Sequence, residues 1–242
     1  KSNLIVEGVI NKNNSIFLNK INFAESKNLI NVKNINLNSK RKFKRIDQID
    51  IDLVNNNDQI SQLNIKRKKS NYLINSKIFD GTKILDRILF SKSDGNFFDV
   101  FEKLNSKISI NFDTIYIAKK DYLTNFKTDI IVSNNVIKDL ILSSQFSTKE
   151  DLKVSIKTNS NNEKITDLFA GNAKPLVKKY DFIKGFEGGY LKFDSVEKNK
   201  VSNSNLKIFD FKLKEVPALT KLLTLASLQG IADLLTGEGI RF

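Results

Sequence analysis

Lys40-Arg41-Lys42-Phe43-Lys44-Arg45 and Lys66-Arg67-Lys68-Lys69 are the two basic clusters of the sequence, and their chemistry is that of gripping phosphate oxygens. The same runs serve equally well as solvated turns and strand ends, where dense Lys discourages edge-to-edge pairing. Gly185, Gly188 and Gly189 lack the Gly-Lys-Ser/Thr that completes a phosphate loop, so a β-turn is the better account of them. The chain has no His and no Cys. That excludes thiol nucleophiles, Cys/His zinc sites, haem and iron–sulfur ligation, imidazole acid–base chemistry and disulfides. Carboxylates are plentiful, but no two stand out as the pair that glycoside hydrolysis needs. The expectation is a protein with no catalytic residues, no metal and no cofactor.

Charge alone suggests an anionic partner. The formal net charge is +13 over 242 residues, with a sequence pI of about 9.6. Only five of the basic residues are Arg, and the chain carries thirty Asn and twenty-nine Ile against seven Ala. Lys, Asn and Ile are what AT-rich codons encode, so genome composition accounts for much of the excess. Nucleic-acid readers lean on Arg forks, which are scarce here, and nucleic acid is not the expected partner.

The elements that must position any site are mostly strands. Up to about Lys164, short runs of Ile, Leu, Val and Phe alternate with polar residues. Ile49, Ile51 and Leu53 alternate with Asp50 and Asp52; Ile108, Ile110 and Phe112 with Ser109 and Asn111; Leu152, Val154 and Ile156 with Lys153 and Ser155. Period two places each apolar set on one face of its strand. Asn-rich breaks at Asn11–Asn14, Asn55–Asp58 and Asn159–Asn162 supply turns, because Asn tolerates the left-handed backbone. Strand spacing of 10–15 residues predicts an antiparallel meander. Helical spacing interrupts it at about 80–103, in Ile84, Leu85, Ile88 and Leu89 and then Phe97, Phe98, Val100 and Phe101.

Composition changes near Ile165, beyond which lie both prolines, seven of ten glycines and five of seven alanines. Two segments are expected: 1–165, a repetitive β region, and 166–242, a β-hairpin plus a helical hairpin on the same sheet. Short helices are predicted at about 170–180 and 217–236, each opened by a proline (Pro175, Pro217). Leu219, Leu222, Leu223, Leu228, Leu234 and Leu235 would pack against the sheet. Lys221, Gln229 and Asp233 break the one stretch that approaches a membrane span. Lys1 in place of Met, and a last strand begun at Ile240, suggest a piece of a longer protein, with any targeting segment upstream.

The C-terminal third resembles the AsmA-like family of Gram-negative envelope proteins, in the C-terminal region shared by AsmA and its YhdP-type relatives. The matching pieces, in order, are Asp167 and Gly171, Gly188-Gly189-Tyr190-Leu191, Ile208-Phe209-Asp210-Phe211, Val216-Pro217-Ala218-Leu219, Leu222-Leu223, Ala226-Ser227-Leu228, Gly230-Ile231, and Leu235-Thr236-Gly237-Glu238-Gly239-Ile240 to Phe242. Thr166, before Asp167, and Lys178-Lys179 depart from the pattern. The resemblance implies a mainly β fold, a long twisted sheet curled into a groove that is apolar inside. It also implies a periplasmic protein anchored to the inner membrane by a segment absent here, related to chorein-type bridges and moving or balancing phospholipids between the inner and outer membranes. Ile49, Ile51, Leu53, Ile108, Ile110, Phe112, Leu152, Val154 and Ile156 would line the groove and hold acyl chains. Anionic headgroups would ride at its open edge, and Gly188, Gly189, Asp210, Pro217, Leu222, Leu223, Gly230, Gly237 and Gly239 would be structural. A scaffold for outer-membrane assembly that carries no lipid is the alternative. The residues themselves leave both open, since a curled lipid-lined sheet and two packed sheets each bury apolar strand faces.

Overall fold

The computed structural model describes residues 2–54, 60–82, 97–180, 185–199, 201–213 and 240–241. Fourteen strands follow one another in sequence order across a single sheet: β1 (Ser2–Ile10), β2 (Ile16–Glu25), β3 (Asn28–Leu37), β4 (Phe43–Val54), β5 (Ile60–Lys68), β6 (Asn71–Asp80), β7 (Ser106–Tyr116), β8 (Tyr122–Ser133), β9 (Val136–Phe146), β10 (Asp151–Thr158), β11 (Lys164–Ala170), β12 (Phe186–Lys198), β13 (Val201–Leu213) and the two-residue β14 (Ile240–Arg241). The sheet does not close into a barrel. The expectation of a mainly β chain with few helices holds. The 165/166 division falls inside β11, and the sheet crosses it unbroken.

Tight turns explain the run of hairpins. Among the described residues twelve non-glycine positions have positive φ, and seven of them are Asn, including Asn14, Asn134, Asn135, Asn162 and Asn199 between strands. Asn tolerates that left-handed backbone better than other non-glycine residues. Neighbouring turn residues add local bonds: Asn159 Oδ1 accepts from the backbone N–H of Asn161 and of Glu163, each at 2.9 Å.

Three expectations need correction, on strand pairing, on the helix at 97–101 and on the Gly188-Gly189 turn. The meander is not wholly antiparallel, because β6 and β7 pair in parallel, Ile74 opposite Ile110. A parallel pair needs a long crossover, and residues 81–105 provide it. The helical pattern expected over Phe97–Phe101 is one 3-10 turn, Phe97–Val100. The chain leaves the turn because Phe101 bridges Phe43 at the start of β4, where the Glu102 N–H donates to the Phe43 carbonyl at 2.9 Å. Phe98 and Leu104 are then buried with Tyr72, Ile108 and Val132.

Helix α1 (Lys174–Tyr180) appears where the sequence places one, with Pro175 in its first turn. It seats Leu176 and a fully buried Val177 on a core of Phe146, Leu152, Ala170, Phe186 and Leu191. Gly188 and Gly189 are not a turn. They lie inside β12 at φ +69° and +73°, facing Asp210 of β13 at φ +53°. The paired positive-φ residues re-aim both strands, so Phe186 and Phe211 stack on the same core as Leu191 and Ile208. The helical pattern over 84–89, the helices expected at 217–236, the expected structural residues Pro217, Leu222, Leu223, Gly230, Gly237 and Gly239, and the turn at 55–58 lie outside the described residues.

Candidate functional site

The register of the sheet joins residues scattered along the chain into rows. One row runs Val6, Ile21, Val32, Ile49, Ile65, Ile74, Ile110, Thr128, Leu142, Val154, Leu168, Phe193, Leu206, one residue from each of β1 to β13. Twelve of the thirteen are apolar. The neighbouring row, displaced by one residue in every strand, runs through β2 to β9 as Asn22, Asn31, Asp50, Asn64, Asn75, Asn111, Lys127 and Ser143. Alternation turns those residues to the opposite face. One face of the sheet is a continuous apolar surface; the other carries the polar row through β2 to β9 and an aromatic cluster of Phe169, Tyr190 and Phe209 on β11 to β13.

The nine residues expected to line a groove share the apolar face. Ile49, Ile110 and Val154 belong to the row above. Ile108 and Ile156 belong to a second row, through Ile130 and Leu140. Ile51 opposes Ile30 and Leu63, Phe112 stacks on Phe126, and Leu152 opposes Ala170. Their depth varies. Ile108, Phe112 and Leu152 are buried, Ile49, Ile51, Ile110, Val154 and Ile156 are half-buried, and Leu53 is 40% exposed at the rim.

Other residues of this face escaped the sequence reading. Ile65, Ile74, Phe126, Leu142, Leu168 and Phe193 all contribute to it. In β9 the apolar triplet Leu140-Ile141-Leu142 hides the alternation, and Ile141 emerges on the polar face at 59% exposure. In β8 the bulge at Asn125, with φ +52°, shifts the register between Thr124 and Lys127. Counting outward from Ile110 would have found Ile74, had the parallel pairing been known.

Thr128 is the exception in the row. Its side chain is 6% exposed, and its hydroxyl has no hydrogen-bond partner. Leaving a buried hydroxyl unpaired costs about 1–3 kcal/mol.

The polar face is held by cross-strand bonds. Asn22 donates to Asn31 at 2.5 Å, and Asn64 donates to Asp50. The Asp129 carboxylate accepts from the Ser109 hydroxyl at 2.6 Å and pairs with the Lys107 ammonium at 2.9 Å, and those two interactions hold it below the usual carboxylate range. Among the described residues, no cluster of three or more acidic side chains could hold a metal ion. The first basic cluster forms the β3–β4 turn and the start of β4, with Asn38 Oδ1 accepting from the N–H of Lys40 and of Lys42 at 2.9 Å each. The second forms the end of β5 and its turn.

Comparison with protein-family models, with curated proteins and with solved structures returns no match to this chain.

Proposed function

We propose that the apolar face is a lipid-binding trough, and that the chain is a segment of a bridge-like envelope protein that carries phospholipids. The observation that carries this reading is the apolar row across thirteen strands of an unclosed sheet, most of it half-buried. A sheet face of this size in a dry two-layer core would have its central residues excluded from water. Ile49, Ile65, Ile74, Ile110, Leu142, Val154, Leu168 and Phe193 are instead partly accessible. Acyl chains laid on that face would complete its burial at about 25 cal/mol per Å² of apolar area covered.

The roles follow from position. Ile49, Ile51, Ile108, Ile110, Phe112, Leu152, Val154 and Ile156 contact acyl chains, and Leu53 contributes at the rim. The protein does no covalent chemistry. Its partners are phospholipids, and through regions beyond this chain the inner and outer membranes of a Gram-negative envelope, with the protein in the periplasm and anchored to the inner membrane. That setting rests on the AsmA-like resemblance of the C-terminal third.

Photo-crosslinking tests the reading. A benzophenone amino acid is placed at Ile110 or Asn111, the protein is irradiated in cells, and adducts are identified by mass spectrometry. Phospholipid adducts at Ile110 and none at Asn111 are expected. Equal labelling at both positions, or none at Ile110 in a protein that retains its envelope phenotype, would replace the trough with a scaffold.

A further inference from the structure

We propose that the β3–β5 region carries a phosphate-binding site, built where Arg45, Arg67, Lys33, Lys66 and Lys69 gather around the single carboxylate of Asp47. These residues, with Asn34 and Gln48, line a depression of about 370 Å³, within the range of small-molecule sites. Neither basic cluster makes this site alone. Arg45 comes from β4, Arg67 and Lys66 from β5, Lys69 from the following turn, and Lys33 from β3, which belongs to neither cluster.

A local irregularity brings them together. Asn34 has φ +52°, and opposite it β4 turns Ile46 and Ile49 both to the apolar core, which leaves Asp47 and Gln48 between them. Asp47 orients the guanidiniums. Arg45 donates Nε to Oδ1 at 2.5 Å and Nη2 to Oδ2 at 2.8 Å, Asn34 donates to Oδ2 at 3.2 Å, and Arg67 Nη1 lies 3.7 Å from Oδ1. The Arg45 bonds chiefly hold the Asp47 carboxyl below its ordinary range, so it stays charged as a fixed strut.

The lysines are the unbalanced part. Lys33, Gln48 and Lys66 lie opposite one another on adjacent strands, which puts the two ammonium-bearing residues roughly 10 Å apart by strand spacing. Lys20 lies directly opposite Lys33 on the other side. Like charges opposed across strands repel. Among the described residues no carboxylate pairs with Lys33, Lys66 or Lys69. A phosphate in the depression would take the free edge of an oriented Arg fork and up to three ammonium contacts, which is the donor set phosphates prefer. The ligand class is a phosphate group, either free as a small phosphate ester or displayed as a lipid headgroup. Lys33 and Lys66 point away from the apolar row, whereas Arg67 shares the face of Ile65 and lies opposite Tyr72, so the depression draws donors from both sides of the strand ends; the proposal stands whether or not the trough carries lipid.

The test measures two probes at constant ionic strength: inorganic phosphate by calorimetry, and phosphatidylcholine vesicles doped with phosphatidic acid by co-sedimentation. Lys33→Gln/Lys66→Gln should weaken binding about tenfold, the equivalent of one charge-assisted contact, with an unchanged circular-dichroism spectrum. Loss with both probes assigns the site to free phosphate as well as headgroups, and loss with vesicles alone assigns it to headgroups. Asp47→Asn supplies a sign that bulk attraction cannot mimic. Removing a negative charge should tighten non-specific anion binding, whereas loss of the strut weakens it. Tighter phosphate binding by Asp47→Asn, no effect of the double lysine substitution, or a preference for single-stranded DNA over both probes would overturn the proposal.

Discussion

Ile74 of β6 and Ile110 of β7 face each other across the parallel pair in the sheet, and their alignment keeps the apolar row continuous from β1 to β13. A slip of one residue would set Asn75 or Asn111 into the row and turn an isoleucine to the polar face. The crossover between these strands therefore has to deliver β7 in one register, and Phe98 and Leu104, buried against Tyr72 and Ile108, fix it there.

A carboxylate probes how wet this face is. Phe112→Asp, at a side chain 7% exposed, should cost at least 3 kcal/mol, of the order found for large core truncations and uncompensated polar burial. Ile110→Asp, at a half-buried neighbour on the same face, should cost about 1–2 kcal/mol, because water reaches the introduced charge. Urea denaturation of the two variants measures the gap. Equal costs would mean a dry face at Ile110.

Thr128→Val removes the unpaired hydroxyl while keeping its shape. The variant should gain about 1 kcal/mol, seen as a higher urea midpoint with unchanged slope. A loss of stability would show that the hydroxyl has a partner in solution.

The two central glycines of β12 should differ. At Gly188 an added Cβ meets nothing closer than 3.7 Å, so Gly188→Ala costs only the left-handed backbone strain, about 1 kcal/mol. At Gly189 the Cβ would lie 2.7 Å from the Phe209 carbonyl oxygen and 2.9 Å from Phe211 Cβ. Gly189→Ala should cost about 2–3 kcal/mol, strain and clash together, in the same denaturation assay.

Asp47 makes stability pH-dependent. Its pKa in the folded protein lies below the unfolded value, chiefly through the Arg45 hydrogen bonds. The stabilisation is therefore present above the unfolded pKa, about 3.9, and is lost as pH falls through the lower folded value. Thermal melts from pH 6 downward should show the wild type losing more stability than Asp47→Asn below about pH 4, by about 1 kcal/mol at most for so exposed a pair. Parallel melting curves for the two proteins would mean the Arg45–Asp47 bonds do not persist in solution.

Local pattern carried much of this protein. Period-two alternation is a property of one strand, so Ile49–Leu53, Ile108–Phe112 and Leu152–Ile156 could be placed in strands and sorted by face from a few residues each. The Asn-rich turns and α1 were legible for the same reason, since turn chemistry and helix starts act over a few residues. Which strand lies beside which is not a local property. The parallel β6–β7 pair depends on a crossover whose ends are fixed by the Phe101–Phe43 bridge, between residues 58 positions apart in sequence. The kink at Gly188, Gly189 and Asp210 needs both strands of a hairpin before its glycines differ from those of a turn. The gathering of Lys33, Arg45, Lys66, Arg67 and Lys69 around Asp47 needs three strands in register and a positive φ at Asn34. Sequence fixes the face of a residue within its strand; only the pairing of strands decides which residues share that face as neighbours, because register is set by long-range burial and not by any one segment.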